Sequence, residues 1–172
     1  MSVHDHLIER SRLLLDTARF VTLSTIDAAG EPWASTVNYV ARPAPLRLVW
    51  YSMREARHSV NIAAHPGVAA SIFRTDLGEA SPLGLDGAQL TGLCRAVPAD
   101  ELPDVSAHWY ERNFPDPAVR ADWMLPLTEF MGDGPRRFYE LRVTGWWLFD
   151  FDRWQTDKVD SRIAVPLADL LA

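Results

Sequence analysis

Leu46–Phe73 reads LRLVWYSMREARHSVNIAAHPGVAASIF, and its order of strand, short helix and second strand decides the fold. Leu46, Leu48 and Trp50 alternate with Arg47, Val49 and Tyr51 at the period of two expected of a half-buried strand. Ala56, Val60 and Ala64 then recur at helical spacing, and His65-Pro66-Gly67 ends the helix. Arg54, Arg57 and His58 crowd the helix start, where the macrodipole and the unpaired backbone N–H groups disfavour cations. A bound anion resolves that conflict. A phosphate monoester there could take charge-assisted bonds from Arg57, His58 and backbone N–H groups. The plainer alternative is that Glu55 and solvent satisfy these side chains.

Outward from this segment, Val3 to Arg19 carries Leu7, Ile8, Leu14 and Ala18 on one face and Glu9, Arg10, Arg12 and Asp16 off it, the pattern of an amphipathic helix. Phe20 to Ile26 reads as a strand, Asp27-Ala28-Ala29-Gly30 as a turn and Trp33 to Ala41 as a second strand, making a hairpin. Arg42-Pro43-Ala44-Pro45 breaks that strand before Leu46 to Met53, so a three-stranded antiparallel meander is expected. On the other side, Val68 to Arg74 is a short strand, Asp76 to Gly87 a loop and Gln89 to Val97 a strand. Ala99 to Arg112 and Pro117 to Met124 read as helices. Arg137 to Thr144 and Trp146 to Phe151 read as two closing strands with a bend at Gly145. The sum is a mainly β chain with peripheral α-helices, a small antiparallel β-barrel. It forms one domain over 1–172, with a helical insert at about 99–124.

Composition narrows the function. With 172 residues, nearly half of them apolar, the chain can bury one sizeable core. A net charge of −6 and the absence of a long basic run give no footprint for nucleic acid. No apolar stretch is long enough to span a bilayer, and the first residues lack a signal-peptide core. The single cysteine, Cys94, rules out an internal disulfide framework, and a cytoplasmic location is expected. Of seven tryptophans, five follow residue 100 (Trp109, Trp123, Trp146, Trp147, Trp154), a density that suits an oligomer interface or a pocket for a flat ligand.

No GxSxG elbow, Walker loop, GxGxxG turn or HExxH helix is present, so the common hydrolase, P-loop, dinucleotide-fold and zincin readings lose their sequence support. His4 and His6 alternate on a predicted helix and do not share a face, so no metal site is expected there. Cys94 sits within a strand and reads as a buried, inert thiol. Glu101 and Asp104, one helical turn apart, read as solvated carboxylates, and His108 among Trp109 and Tyr110 is a weak ligand candidate.

Taken together, FVTLSTIDAAGEPWASTVNYV (residues 20–40), the segment 46–73 and LDGAQLTGLCRAV (residues 85–97) resemble the pyridoxamine 5′-phosphate oxidase-like family of flavin-binding split β-barrels. The resemblance implies a homodimer binding flavin mononucleotide (FMN) in clefts at the subunit interface, with the phosphate held by Arg57 and His58. It further implies that Trp33, Ala34, Ser35 and Thr36 line the isoalloxazine, that Tyr51 and Ser52 flank it, and that Gln89 reaches it from the next barrel strand. His58 stands where members often carry lysine, so the phosphate contact should depend on pH, with the dianion favouring the imidazolium. The ending RRFYELRVTGWWLFDFDRW does not reproduce that of the true pyridoxamine phosphate oxidases, so vitamin B6 oxidation is not expected. The implied activity is a flavin-dependent oxidoreductase acting on a small molecule, its specificity set by the loop 76–87 and the insert 99–124. The same fold leaves open a deazaflavin cofactor, haem on His58, His65 or His108, and a non-catalytic flavin-binding or interaction module.

Overall fold

The computed structural model describes residues 3–170. The elements run α1 (Val3–Thr17), β1 (Phe20–Ile26), β2 (Pro32–Asn38), β3 (Val40–Arg42), β4 (Arg47–Met53), α2 (Arg57–Ala64), β5 (Gly67–Arg74) and β6 (Asp86–Ala96). They continue with α3 (Leu102–Asn113), α4 (Pro117–Trp123), β7 (Arg136–Phe149), α5 (Phe151–Asp157), β8 (Arg162–Ala164) and α6 (Leu167–Leu170). All strands pair antiparallel in one sheet of order β2-β1-β5-β6-β7-β4-β3, with β8 added to β7. β2 and β3 are the two ends of that path. The sheet therefore curls into a half-barrel split between them, with the helices around it.

The expected meander is corrected by this order. β1 and β2 do form the hairpin, registered from Phe20↔Asn38 to Ile26↔Pro32. β4, however, pairs with β7 and β3 at the far end of the sheet. The break falls at Tyr39, where the strand read as Trp33 to Ala41 divides and the chain crosses to the opposite lip of the split. Tyr39 is buried there.

The two expected closing strands are one, the 14-residue β7. Its register against β6 slips between Thr91↔Gly145 and Gly92↔Val143, leaving Thr144 as the extra residue of a bulge. Glycine is required on both sides. A Cβ on Gly92 would lie 2.3 Å from the Arg142 carbonyl oxygen, and one on Gly145 2.2 Å from the Trp147 ring. Gly145 thus twists a continuous strand rather than ending it.

Alternation along the strands yields two cores. The concave face, with Val21, Leu23, Leu48, Trp50, Ile72, Leu90, Leu141, Trp146 and Leu148, packs under α1 and α2. The opposite face of β4 and β7 packs Val49 and Phe138 against Val105, Trp109 and Tyr110 of α3 and against Phe130. α1 is docked by a buried pair: Arg10 Nε and Nη2 donate to the Asp86 carboxylate at 2.8 and 3.0 Å, and Nη2 also donates to the Phe149 carbonyl at 3.0 Å. Buried Glu140 accepts from Arg47 and Arg95, both of which also reach Glu101, so one charged ring ties β4, β6 and β7 to the start of α3.

Candidate functional site

The site is organised by α2, whose eight residues start against the β1–β2 turn. Ala56 occupies its N-cap without a side-chain hydrogen bond, and no acidic residue stands in the first turn. The first backbone N–H groups of the helix therefore face outward without a capping oxygen, the arrangement that favours an anion. On the buried side, Asn61 Nδ2 donates to Thr25 Oγ1 at 3.0 Å, and Thr25 Oγ1 donates to the Trp33 carbonyl at 3.3 Å. This chain fixes the helix on the hairpin. Arg57, one turn before Asn61, falls on the same helix face and so lands above Trp33.

The Arg57 guanidinium carbon lies 4.4 Å from the centroid of the Trp33 ring, and its Nη2 reaches Asp27 Oδ2 at 3.5 Å. Asp27 is preset for this: its Oδ1 accepts the backbone N–H groups of Ala29 and Glu31, each at 2.9 Å. The Glu31 N–H foremost, with the Ala29 N–H and Arg57, holds the Asp27 carboxyl below the usual carboxylate value. The partners of Arg57 are thus Asp27 and Trp33, across the chain, and not the Glu55 of the plainer alternative. The ion pair is long and half-exposed, worth little in water, so the guanidinium is aimed but weakly neutralised.

His58 points to the other side of the helix start, where Nε2 lies 2.9 Å from Ser52 Oγ. Burial pushes its imidazole below the ordinary histidine value. Without an anion nearby, His58 is neutral at neutral pH, and an incoming dianion would have to draw a proton onto it.

The sequence-derived residues divide by face. Ser52, His58, Arg57 and Trp33 converge around α2. Trp33 and Ser35 pair with Thr25 and Leu23, whose side chains face the concave side, while Ala34 and Thr36 lie in register with Ser24 and Thr22 on the open side. Cross-strand pairs continue that open row as Thr36, Thr22, Ser71, Gln89 and Trp147. Thr36 lines a cleft of about 640 Å³, Gln89 an adjoining one of about 270 Å³, and Phe73 stands between them in both walls. Gln89 stands three strands from β2, about 14 Å at ordinary strand spacing. Tyr51 points away from Ser52, as strand alternation requires, and its ring packs on Trp109 at 4.7 Å, Phe130 at 5.3 Å and Phe138 at 5.4 Å. Asp27, Thr25 and Asn61 were not singled out from the sequence. Only the turn role of Asp27 was visible there, since the contacts span 30 or more residues.

Other candidates are accounted for by their surroundings. The buried Cys94 thiol is pushed up to about 12 by desolvation and the Glu140 charge, consistent with an inert group. His108 Nε2 donates to the Ala41 carbonyl at 3.2 Å. Glu101 is held below the usual carboxylate value by Arg47 and Arg95 against its desolvation, which makes it structural. Among the described residues no cluster of histidine, cysteine and carboxylates could hold a metal ion, and no helix is long and apolar enough to cross a membrane.

Comparison with known proteins places this geometry in context. A family model described as pyridoxamine 5′-phosphate oxidase matches residues 7–150. No curated protein matches. Among solved structures, a heme-binding protein from Mycobacterium smegmatis superposes with TM-score 0.66 at 20% identity, over 95% of this chain and 59% of that one. The chain thus spans under two thirds of that protein's length. An FAD-binding protein from Mesorhizobium loti superposes with TM-score 0.57 at 15% identity, over 85% of this chain and 92% of that one. An F420 reductase does so with TM-score 0.52 at 23% identity, over 77% and 92%. At these identities the superpositions speak for the fold.

Proposed function

Because the chain belongs to the pyridoxamine 5′-phosphate oxidase family, we propose that it binds flavin mononucleotide and acts as an oxidoreductase on a small molecule. The observation that carries the reading is the uncapped start of α2, with Arg57 preset over Trp33 by Asp27 and with His58 on Ser52. The donor set fits a phosphate monoester: a guanidinium, an imidazole that can gain a proton, a hydroxyl and free backbone N–H groups. Bound flavin supplies hydride or electron transfer. The protein's own part is to hold the phosphate at Arg57 and His58 and to offer the isoalloxazine the unpaired backbone edge of β2 from Trp33 to Thr36. Gln89 and Thr36 would supply polar contacts from the open face and Ser35 from the backbone of β2, and Ser52 would flank the ligand beside His58.

The same reading calls for a second copy of the chain. The open face of the sheet exposes Phe20 (59%), Phe73 (64%) and Leu93 (47%) around small residues such as Ser24, Ala69 and Ser71. An apolar, flat face of this kind is normally covered. A homodimer packed on it would enclose the clefts beside Thr36 and Gln89 and exclude water from the ring.

Haem and deazaflavin are the rival cofactors. Haem ligation through Nε2 of His58 or His108 would displace the contact which that atom already makes. An absorbance spectrum taken after loading with each cofactor and exhaustive dialysis separates the three: retained flavin bands support the proposal, and a retained Soret band overturns it.

A further inference from the structure

On the flank of α2 away from Arg57, a cleft of about 590 Å³ opens between the helix and the strands β6 and β7. We propose that it is a second binding site, one for a compact organic oxyanion, a phosphate ester or carboxylate carrying a small apolar body. Three observations combine. Arg54 and Arg137 line the cleft, and among the described residues each guanidinium finds only backbone carbonyl acceptors. For Arg54 these are Gly132 and Gly134, both at 3.5 Å; for Arg137 they are Gly134 at 2.9 Å, Arg136 at 2.5 Å and Gly132.

Ser59 also lines the cleft, is 3% exposed, and its hydroxyl has no hydrogen-bond partner. A buried hydroxyl left unpaired keeps its desolvation penalty, which an acceptor on a ligand in the cleft would relieve. Between these polar groups the wall is apolar, formed by Ile62, Ala63 and Tyr139. Convergent polar donors on an apolar wall in this size range are the marks of a small-molecule site.

The charge at the site is net positive. Arg95 borders the cleft too, but its guanidinium is committed to Glu140 and Glu101. Glu55 and Asp133 border only the adjoining groove, with Arg54 at the boundary. Two arginines held on the carbonyls of the 132–136 loop form a preset fork for a planar or tetrahedral oxyanion. Helical geometry keeps this site separate from the phosphate cradle: Ser59 and Ala63 project about 160° and 120° from Arg57 around α2.

The test is calorimetric titration of the flavin-saturated protein with phenyl phosphate and, separately, with benzoate. Binding of either probe, weakened at least about tenfold by Arg54→Ala and by Arg137→Gln and a few-fold by Ser59→Ala, is the expected result. The difference between the probes tells phosphate from carboxylate ligands. Arg54 is exposed, so its variant tests the site even where Arg137→Gln loosens the loop. No heat from either probe at about 10 mM, or binding that survives both arginine variants, would overturn the proposal.

Discussion

Arg57 stacks on Trp33 with its guanidinium carbon 4.4 Å from the ring centroid, so the cation that would meet a phosphate is already oriented by a residue of the strand that would meet the flavin ring. Helix and hairpin reach this relationship through the buried Asn61–Thr25 contact. Binding then needs little side-chain ordering, which is how a preformed site gains affinity.

Arg57→Ala should weaken flavin mononucleotide by about 2 kcal/mol, the worth of a charge-assisted hydrogen bond, or some thirtyfold. Riboflavin, which has no phosphate, should lose far less. Paired fluorescence titrations measure the difference, and equal losses would remove Arg57 from the phosphate site.

His58 makes binding pH-dependent. Burial holds its imidazole below the ordinary 6.5. Below 6.5 the unfolded chain therefore holds more protons than the folded one, and stability falls as the pH drops through that window. His58→Gln should flatten this part of the Tm–pH curve. A phosphate dianion reverses the balance by favouring the imidazolium. From pH about 8 to about 6.5, FMN affinity of the native protein should therefore rise relative to His58→Gln, which also controls for titration of the phosphate itself. Parallel curves would separate His58 from the ligand.

Phe73 is 64% exposed on the open sheet face, near the end of β5, so Phe73→Glu should leave the melting temperature of the chain nearly unchanged. It should nevertheless convert a dimer into a monomer in light scattering and abolish flavin retention. A native protein that is monomeric while it retains flavin would refute the two-copy cleft.

Arg10 and Asp86 are 7% and 4% exposed and paired at 2.8 Å. Arg10→Met leaves the carboxylate buried without its partner and should cost about 3–5 kcal/mol in urea unfolding. Combining it with Asp86→Asn should cost less than the sum of the two single changes, because the uncompensated charge is gone.

Local pattern in the sequence carried the strands well. Phe20–Ile26 is a strand over the range its β-branched run indicates, and Leu46–Met53 and Val68–Arg74 differ from the observed strands by one residue each. Pairing was less legible. β4 keeps its sequence neighbour β3 but lies across the split from β2 and pairs with β7 on its other side, a choice set by which faces can be buried together and invisible to periodicity. The sequence places a bend between two strands at Gly145; that it instead carries a bulge within one strand depends on Thr91 opposite and on the Trp147 ring two residues along. The short α5 was missed although Asp150 caps it by accepting the Arg153 N–H at 3.0 Å, a signal present in the sequence. Around the candidate site, the placement of Arg57 and His58 at a helix start was legible from the apolar spacing that follows them. The Asp27–Arg57 contact, across 30 residues, was not; strand alternation turns Tyr51 away from Ser52, but its packing among Trp109, Phe130 and Phe138 depends on elements far along the chain.

The central claim is that the start of α2 and the edge of β2 hold flavin mononucleotide. Its most direct test is the visible absorbance of the protein mixed with flavin mononucleotide and dialysed to completion. Flavin bands retained at about one per chain, and lost in Arg57→Ala, are the result this account predicts. Flavin that passes entirely into the dialysate, while haem or a deazaflavin stays bound, would contradict it.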